Sequence, residues 1–332
     1  MSLPERSGGI KPERRLPVTP DGLRAVAARA RARIRPPSAF PVAPPTWPGT
    51  VPRPPVERTL GVDYDSDWAR RPAARAGRAV VQDVLAAPVI RAVASPTVRG
   101  LDRIAHLDEP IIFAANHASH LDAPLLVSTI PERWRRDLFV AGAADYFFDT
   151  RAKAAAFAFL LNAVPIERQR VSRVSARRVS DLLEDGWSML IFPEGGRSPD
   201  GWGQPHRAGA AWLAVRTGRP IVPVHVEGTR RILAKGSSRF RPGRTQVTFG
   251  RPLRPAPGSD PRLLAADLEG AIAALADEIE NDWYTARRRA AAGTTPPLTG
   301  PEGPGWRRAW ALGDPGAAER RRRRQERWPW KS

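Results

Sequence analysis

The chain has 332 residues, 42% of them hydrophobic, no cysteine and a net charge of +19. The missing thiols exclude disulfides, thiolate metal sites and a cysteine acyl-enzyme. The positive balance, +7 in residues 1–60, +7 in 61–300 and +5 in 301–332, calls for an anionic partner: a membrane surface, nucleic acid or a phosphorylated substrate.

A GC-rich coding sequence would account for the preference of Arg over Lys, but not for the excess of positive over negative charge. Residues 1–60 hold 13 of the 36 prolines, interleaved with arginine, and read as a disordered Pro/Arg-rich arm. Within it Leu23, Val26, Ala27, Ala30 and Ile34 line one face of a weak basic helix. The N-terminus lacks the apolar segment of a secretory signal, and no apolar run reaches the ~20 residues of a spanning helix. The expected location is cytoplasmic, peripheral on the inner face of the cell membrane.

Residues 61–290 read as one folded domain. A helical pattern over 79–94 is kinked or split by Pro88. A segment over 98–106 leads into an apolar strand at Pro110, followed by a helix over 121–130 and a strand over 138–141. A mainly apolar helix over 146–161, a strand over 164–166 and an amphipathic helix over 172–184, closed by Gly186, come next. A buried strand over 189–192, a helix over 207–217 and strands over 220–226 and 245–249 follow. Asp260 caps the last helix, with Pro261 at its first position. Its stripe is Leu264, Leu268, Ile272, Leu275, Ile279 and Trp283. Strands alternating with helices predict an α/β fold, a mostly parallel central sheet flanked by helices, between disordered basic termini. Residues 291–332 form a basic, Trp-containing tail. Its Arg320 to Arg324, with Trp328 and Trp330, fits a lipid interface better than nucleic acid, and fits a merely solvated charge run equally well.

Two polar loops follow buried strands. The first holds Asn116, His117, Ser119, His120 and Asp122. A neutral imidazole takes a proton from an alcohol near neutral pH, and a carboxylate beside it fixes one tautomer and stabilises the imidazolium. The same pair also serves as an ordinary structural contact in a turn. A zinc site from His117, His120 and Asp122 lacks a recognised ligand spacing. The second loop, residues 192–198 (FPEGGRS), has adjacent glycines that let backbone amides approach an anion. Arg197 adds a bidentate phosphate binder. Glu194 is placed either to hold Arg197 or to meet a substrate hydroxyl.

Together these loops resemble the glycerolipid acyltransferases, the lysophosphatidate and glycerol-3-phosphate acyltransferases, over residues 95–255. The NHxSxxD block is matched by Asn116, His117, Ser119 and Asp122. A strand ending in an acidic residue and Arg is matched by Ile166, Glu167 and Arg168. The FPEGTRS block resembles Phe192 through Ser198, and an apolar strand around a proline resembles Val222, Pro223 and Val224. The resemblance implies direct acyl transfer from acyl-CoA or acyl carrier protein, a co-substrate rather than a cofactor, with no metal. His117, oriented by Asp122, would deprotonate the hydroxyl of a lysophosphatidate-type acceptor in phospholipid biosynthesis. Glu194, Gly195, Gly196, Arg197 and Arg168, with Asn116 and Ser198, would bind the acceptor's glycerol phosphate. Val222 and Pro223 would line the acyl-donor side. Gly196 stands where phosphatidate-forming members carry Thr, so glycerol 3-phosphate or another lysophospholipid is the alternative acceptor. A non-catalytic basic membrane- or nucleic-acid-binding protein is the alternative from another class.

Overall fold

The computed structural model describes residues 60–167, 173–237 and 239–300. Arg168 and the segments 1–59 and 301–332, with the helix at 22–34 and the Arg/Trp tail read from the sequence, lie outside the described residues. The strands are β1 (Pro96–Arg99), β2 (Ile112–Ala115), β3 (Leu138–Ala143), β4 (Ala163–Ile166), β5 (Ser188–Ile191), β6 (Ile221–Glu227) and β7 (Thr245–Phe249). They form one sheet in the order β1-β7-β6-β2-β5-β3-β4. The run β6-β2-β5-β3-β4 is parallel, and β7 joins β6 antiparallel. The longer helices are α1 (Pro72–Val80), α2 (Ala87–Ala94), α3 (Asp122–Thr129), α4 (Arg151–Leu161), α5 (Arg173–Glu184), α6 (Gly209–Thr217), α7 (Pro261–Glu280) and α8 (Trp283–Ala291).

The central strands read as continuous apolar runs because helices cover both faces of the sheet. Every residue of β2 and β5 is buried. Alternation along β2 then sorts side chains between two cores. Phe113 and Ala115 pack with Leu125 and Leu126 of α3 and with Phe249. Ile112 and Ala114 pack with Ala211 of α6 and with Leu264, Leu268 and Ile272 of α7. Burying one such Phe, Ile or Leu side chain stabilises the fold by about 1.5–3 kcal/mol. β6 tolerates Pro223 because the next strand gives way. A side chain at Gly250 would come within 2.6 Å of the Pro223 ring, whereas the Gly250 amide donates to the Pro223 carbonyl at 2.8 Å.

Three expected elements differ. The helix over 79–94 begins at Pro72 and contains a π-helical turn, Val81–Ala86, between α1 and α2. Pro88 lacks an N–H, and its ring crowds the carbonyl four residues back, at Val84, inside that widened turn. The helix over 146–161 is two helices, Ala144–Phe147 and α4. Between them Phe148 leaves the helical path to become fully buried, and Thr150 caps α4 by accepting from the Lys153 amide. Trp283 is not part of the α7 stripe: α7 ends at Glu280, Asp282 caps α8, and Trp283 is exposed. Beyond α8, Leu298 packs against the α6–α7 core, and its carbonyl accepts from the Gly203 amide at 2.8 Å.

The two polar loops leave the carboxyl ends of β2 and β5. These strands are adjacent and parallel, so both loops emerge at one edge of the sheet, where α/β folds place ligands.

Candidate active site

The turn after β2 is pinned before it reaches His117. Asn116 behaves as a side-chain extension of the sheet: its Oδ1 accepts from the Val226 amide at 2.7 Å, and its Nδ2 donates to the Val226 carbonyl at 3.0 Å. It therefore joins β2 to β6, and its amide is committed there rather than to a ligand. The chain then folds back so that Asp122, the first residue of α3, faces His117. His117 Nδ1 lies 2.9 Å from Asp122 Oδ2, and the same oxygen accepts from the amides of Ala118 at 2.7 Å and Ser119 at 2.8 Å. Asp122 is fully buried, and such a charge needs this set of donors. A carboxylate only accepts, so Nδ1 carries the proton and Nε2 is left as the basic nitrogen. The imidazole also stacks on Phe192, with ring centres 4.0 Å apart and planes 17° from parallel. Ser119 fastens the turn from the other side by donating to the Leu233 carbonyl at 2.7 Å.

The loop after β5 is tied directly to this turn. Glu194 Oε1 accepts from the His117 amide and Oε2 from the Gln204 amide, each at 2.8 Å. Only 3% of Glu194 is exposed. The geometry makes Glu194 a brace between the loops, in place of the substrate contact expected of it. Burial pushes its carboxyl up to about 7, against the opposing pull of those two backbone donors. Ser198 is a second fastener: its amide donates to the His117 carbonyl and its buried Oγ accepts from the Gly201 amide, both at 2.8 Å.

Gly195 has φ +70°, a left-handed conformation that favours glycine, and a Cβ there would lie 2.8 Å from Arg207 Nε and displace that side chain. The carbonyls of Gly196 and Arg197 accept from Gln204 Nε2 at 3.0 and 3.2 Å. The Arg197 guanidinium lies over the Tyr146 ring, 5.7 Å from its centre.

His117, Gly195, Gly196 and Arg197 border a cavity of about 560 Å³. Its walls are largely apolar, among them Val81 of the π-helical turn, Val140 of β3, Phe157 and Leu161 of α4, and Ile166 of β4. Val222 and Pro223 do not line it. Both are buried within β6, on the far side of β2 from the β3–β4 wall. A single apolar strand around a proline could not reveal which flank of the sheet opens. His120 of the same turn lines the cavity too, and its Nε2 lies 2.9 Å from the Tyr146 hydroxyl. Burial first, and then the Arg197 cation, push its imidazole down to about 4. Tyr146 and Gln204 were missed altogether: neither sits in a motif, and only the fold brings them to the loops.

Among the described residues no group of His, Cys, Asp and Glu could hold a metal ion, and no helix is long and apolar enough to cross a membrane.

A family model described as Acyltransferase matches residues 95–227. The chain is 29% identical over 179 residues to the chloroplastic 1-acyl-sn-glycerol-3-phosphate acyltransferase BAT2 of Brassica napus, a match covering 53% of this chain and 49% of that one. It is 28% identical over 187 residues to the human 1-acyl-sn-glycerol-3-phosphate acyltransferase alpha, covering 54% and 59%. Among solved structures it resembles the 1-acyl-sn-glycerophosphate (LPA) acyltransferase PlsC of Thermotoga maritima, with a TM-score of 0.52 and 25% identity over 66% of this chain and 86% of that one. The chain spans about half the length of the curated relatives it matches.

Proposed function

Because the chain belongs to the glycerolipid acyltransferase family, we propose that it moves a fatty acyl group from a thioester to the hydroxyl of a lysophosphatidate-type glycerol phosphate. The observation that carries this reading is the His117–Asp122 contact of 2.9 Å at the border of an apolar cavity that also holds Arg197. His117 Nε2 takes the acceptor's hydroxyl proton as that oxygen attacks the thioester carbonyl. The tetrahedral intermediate collapses to the ester and expels the thiolate, which takes the proton back from the imidazolium. Asp122 holds the ring in the required tautomer and stabilises its charged form. The cavity takes the acyl chain, Arg197 takes the phosphate, and acyl-CoA or acyl carrier protein supplies the thioester. The names of the relatives favour lysophosphatidate over glycerol 3-phosphate as acceptor.

The test is an acceptor panel with one labelled acyl-CoA: lysophosphatidate, glycerol 3-phosphate and other lysolipids. Lysophosphatidate should give the highest kcat/KM, and His117→Ala should lower turnover about 10²–10⁴-fold with the fold intact. Undiminished turnover in that variant would remove His117 as the base.

The site belongs at an anionic membrane surface, where such an acceptor resides. In support, Val80, Val84, Leu85 and Val89 of the α1–α2 segment are exposed, and Val81 and Ala86 of the same segment line the cavity. Val84→Asp with Leu85→Asp should reduce sedimentation with vesicles of anionic phospholipid. Binding as strong as wild type would move the membrane contact elsewhere on the chain.

A further inference from the structure

The match to the family model ends at residue 227, and α7, α8 and the segment after them lie beyond it. That segment is brought back to the domain by fastened turns. Oδ1 of the buried Asp277, on α7, accepts from Asn281 Nδ2 and from Arg289 Nη1 of α8, each at 2.7 Å, which ties α8 to α7. Gly293, with φ +65°, then closes α8 in a Schellman motif: its amide donates to the Ala290 carbonyl at 3.2 Å, and the Thr294 amide donates to that of Arg289 at 2.9 Å. Four residues later Leu298 packs, half-buried, against the α6–α7 core.

What the segment meets there is the stretch that follows the loop after β5. The Leu298 carbonyl accepts from the Gly203 amide at 2.8 Å, and a Cβ at Gly203 would come within 3.1 Å of Leu298 Cβ, so the absent side chain lets the two strands of chain close on each other. Gly300 is buried with φ +80°, and a Cβ there would lie 2.6 Å from Trp202 Cδ2, so its main chain rests against the indole. Trp202 and Gly203 immediately precede Gln204, which faces inward. The Gln204 amide donates to Glu194 Oε2 at 2.8 Å, and its Nε2 donates to the carbonyls of Gly196 and Arg197. On the other side of Gln204, Glu269 of α7 accepts from the His206 amide at 3.0 Å. Gln204 is therefore carried between two outer anchors, one of them the returning segment.

We infer that residues 298–300 are a strap that positions the loop after β5: Leu298 and Gly300 hold Gly203 and Trp202, and through them Gln204, whose side chain sets the carbonyls of Gly196 and Arg197 at the cavity border. Leu298 and Gly300 are positioning residues that act on the site through Gln204. A Gly203 amide released by the strap would find water, so the hold is that of one neutral hydrogen bond and a half-buried leucine. That is enough to narrow where the loop sits without deciding whether the domain folds. The strap rests on the acyltransferase reading for the reaction it serves.

Amide hydrogen–deuterium exchange and steady-state kinetics with lysophosphatidate are measured on the full chain and two variants of it. Leu298→Ala removes the side chain that seats the strap, whereas Gly300→Val leaves Leu298 in place and drives a side chain toward Trp202. In both, the amides of Gly195, Ser198 and Gln204, which pair within the two loops and between them, should exchange faster, while those of β2 and β5 keep their wild-type rates. KM should rise roughly three- to tenfold, the range that one neutral hydrogen bond controls, with kcat nearly constant, and Leu298→Met should restore both KM and exchange. A segment that only stabilises the domain would act differently: its loss would lower the folded fraction and so the apparent kcat, leave KM unchanged, and speed exchange in β2 and β5 as well. That pattern would overturn the strap, as would wild-type loop exchange or an unchanged KM in both variants. Faster loop exchange in the variants of a chain that transfers no acyl group to any acceptor would instead count against the reaction and leave the strap standing.

Discussion

The two loops that meet at the sheet edge are built on opposite plans. In the turn after β2, the functional side chain is fixed by a buried charge that gathers three N–H donors on one oxygen. In the loop after β5, the buried carboxyl is Glu194, which holds backbone, while the cation at the cavity border is reached through a long side chain beside an aromatic ring. The first plan sets the position of one nitrogen closely. The second fixes where the loop runs and sets its cation at the cavity border through a flexible side chain. Substitutions in the first should therefore cost kcat, and substitutions around the second should cost KM or stability.

The sharpest way to break that contrast is Asp122→Asn. The amide is nearly isosteric, and its oxygen can still accept from the Ala118 and Ser119 amides, which Asp122 Oδ2 now holds at 2.7 and 2.8 Å. What it lacks is the negative charge that stabilises the imidazolium. Turnover should fall about 10²–10⁴-fold, with KM for lysophosphatidate little changed and the near-ultraviolet circular dichroism of the wild type. A comparable rise in KM with kcat preserved would show that the turn binds rather than reacts, and the two loops would lose their distinction.

Much of this was legible beforehand, for a physical reason. Strands buried on both faces are written as unbroken apolar runs, and β2 and β5 announce themselves in that way. The loops after them carry residue types that have little use in a turn without chemistry. Pairing was harder to read. That Phe192 stacks on His117, that Asn116 joins Val226, and that Gln204 supports the carbonyls of Gly196 and Arg197 all depend on which strands are neighbours. Val222 and Pro223 show the same limit from the other side: their composition is correct for a buried strand, but the cavity opens on the β3–β4 flank.

A smaller effect, on stability rather than turnover, tests the second plan. Burial raises the Glu194 carboxyl from 4.5 to about 7, so between these pH values the folded chain holds a proton that the unfolded chain has released. Unfolding then releases protons, and stability must fall as pH rises through that window. At about 1.4 kcal/mol for each pH unit between the two values, the fall attributable to Glu194 is about 3 kcal/mol. It is complete near neutral pH, where the ionised carboxylate accepts both amides at the cost of its own burial. Glu194→Gln does not titrate, so its urea midpoint should lack this slope, and the difference between the two curves isolates Glu194 from every other group. Its amide nitrogen must also face either the His117 or the Gln204 N–H, a donor against a donor, which costs about 1–3 kcal/mol at any pH. The variant should therefore be the weaker one near pH 4.5 and gain on the wild type as pH rises. Parallel curves would mean that Glu194 keeps an ordinary carboxyl, that water reaches the brace, and that the loop after β5 is held as openly as its cation.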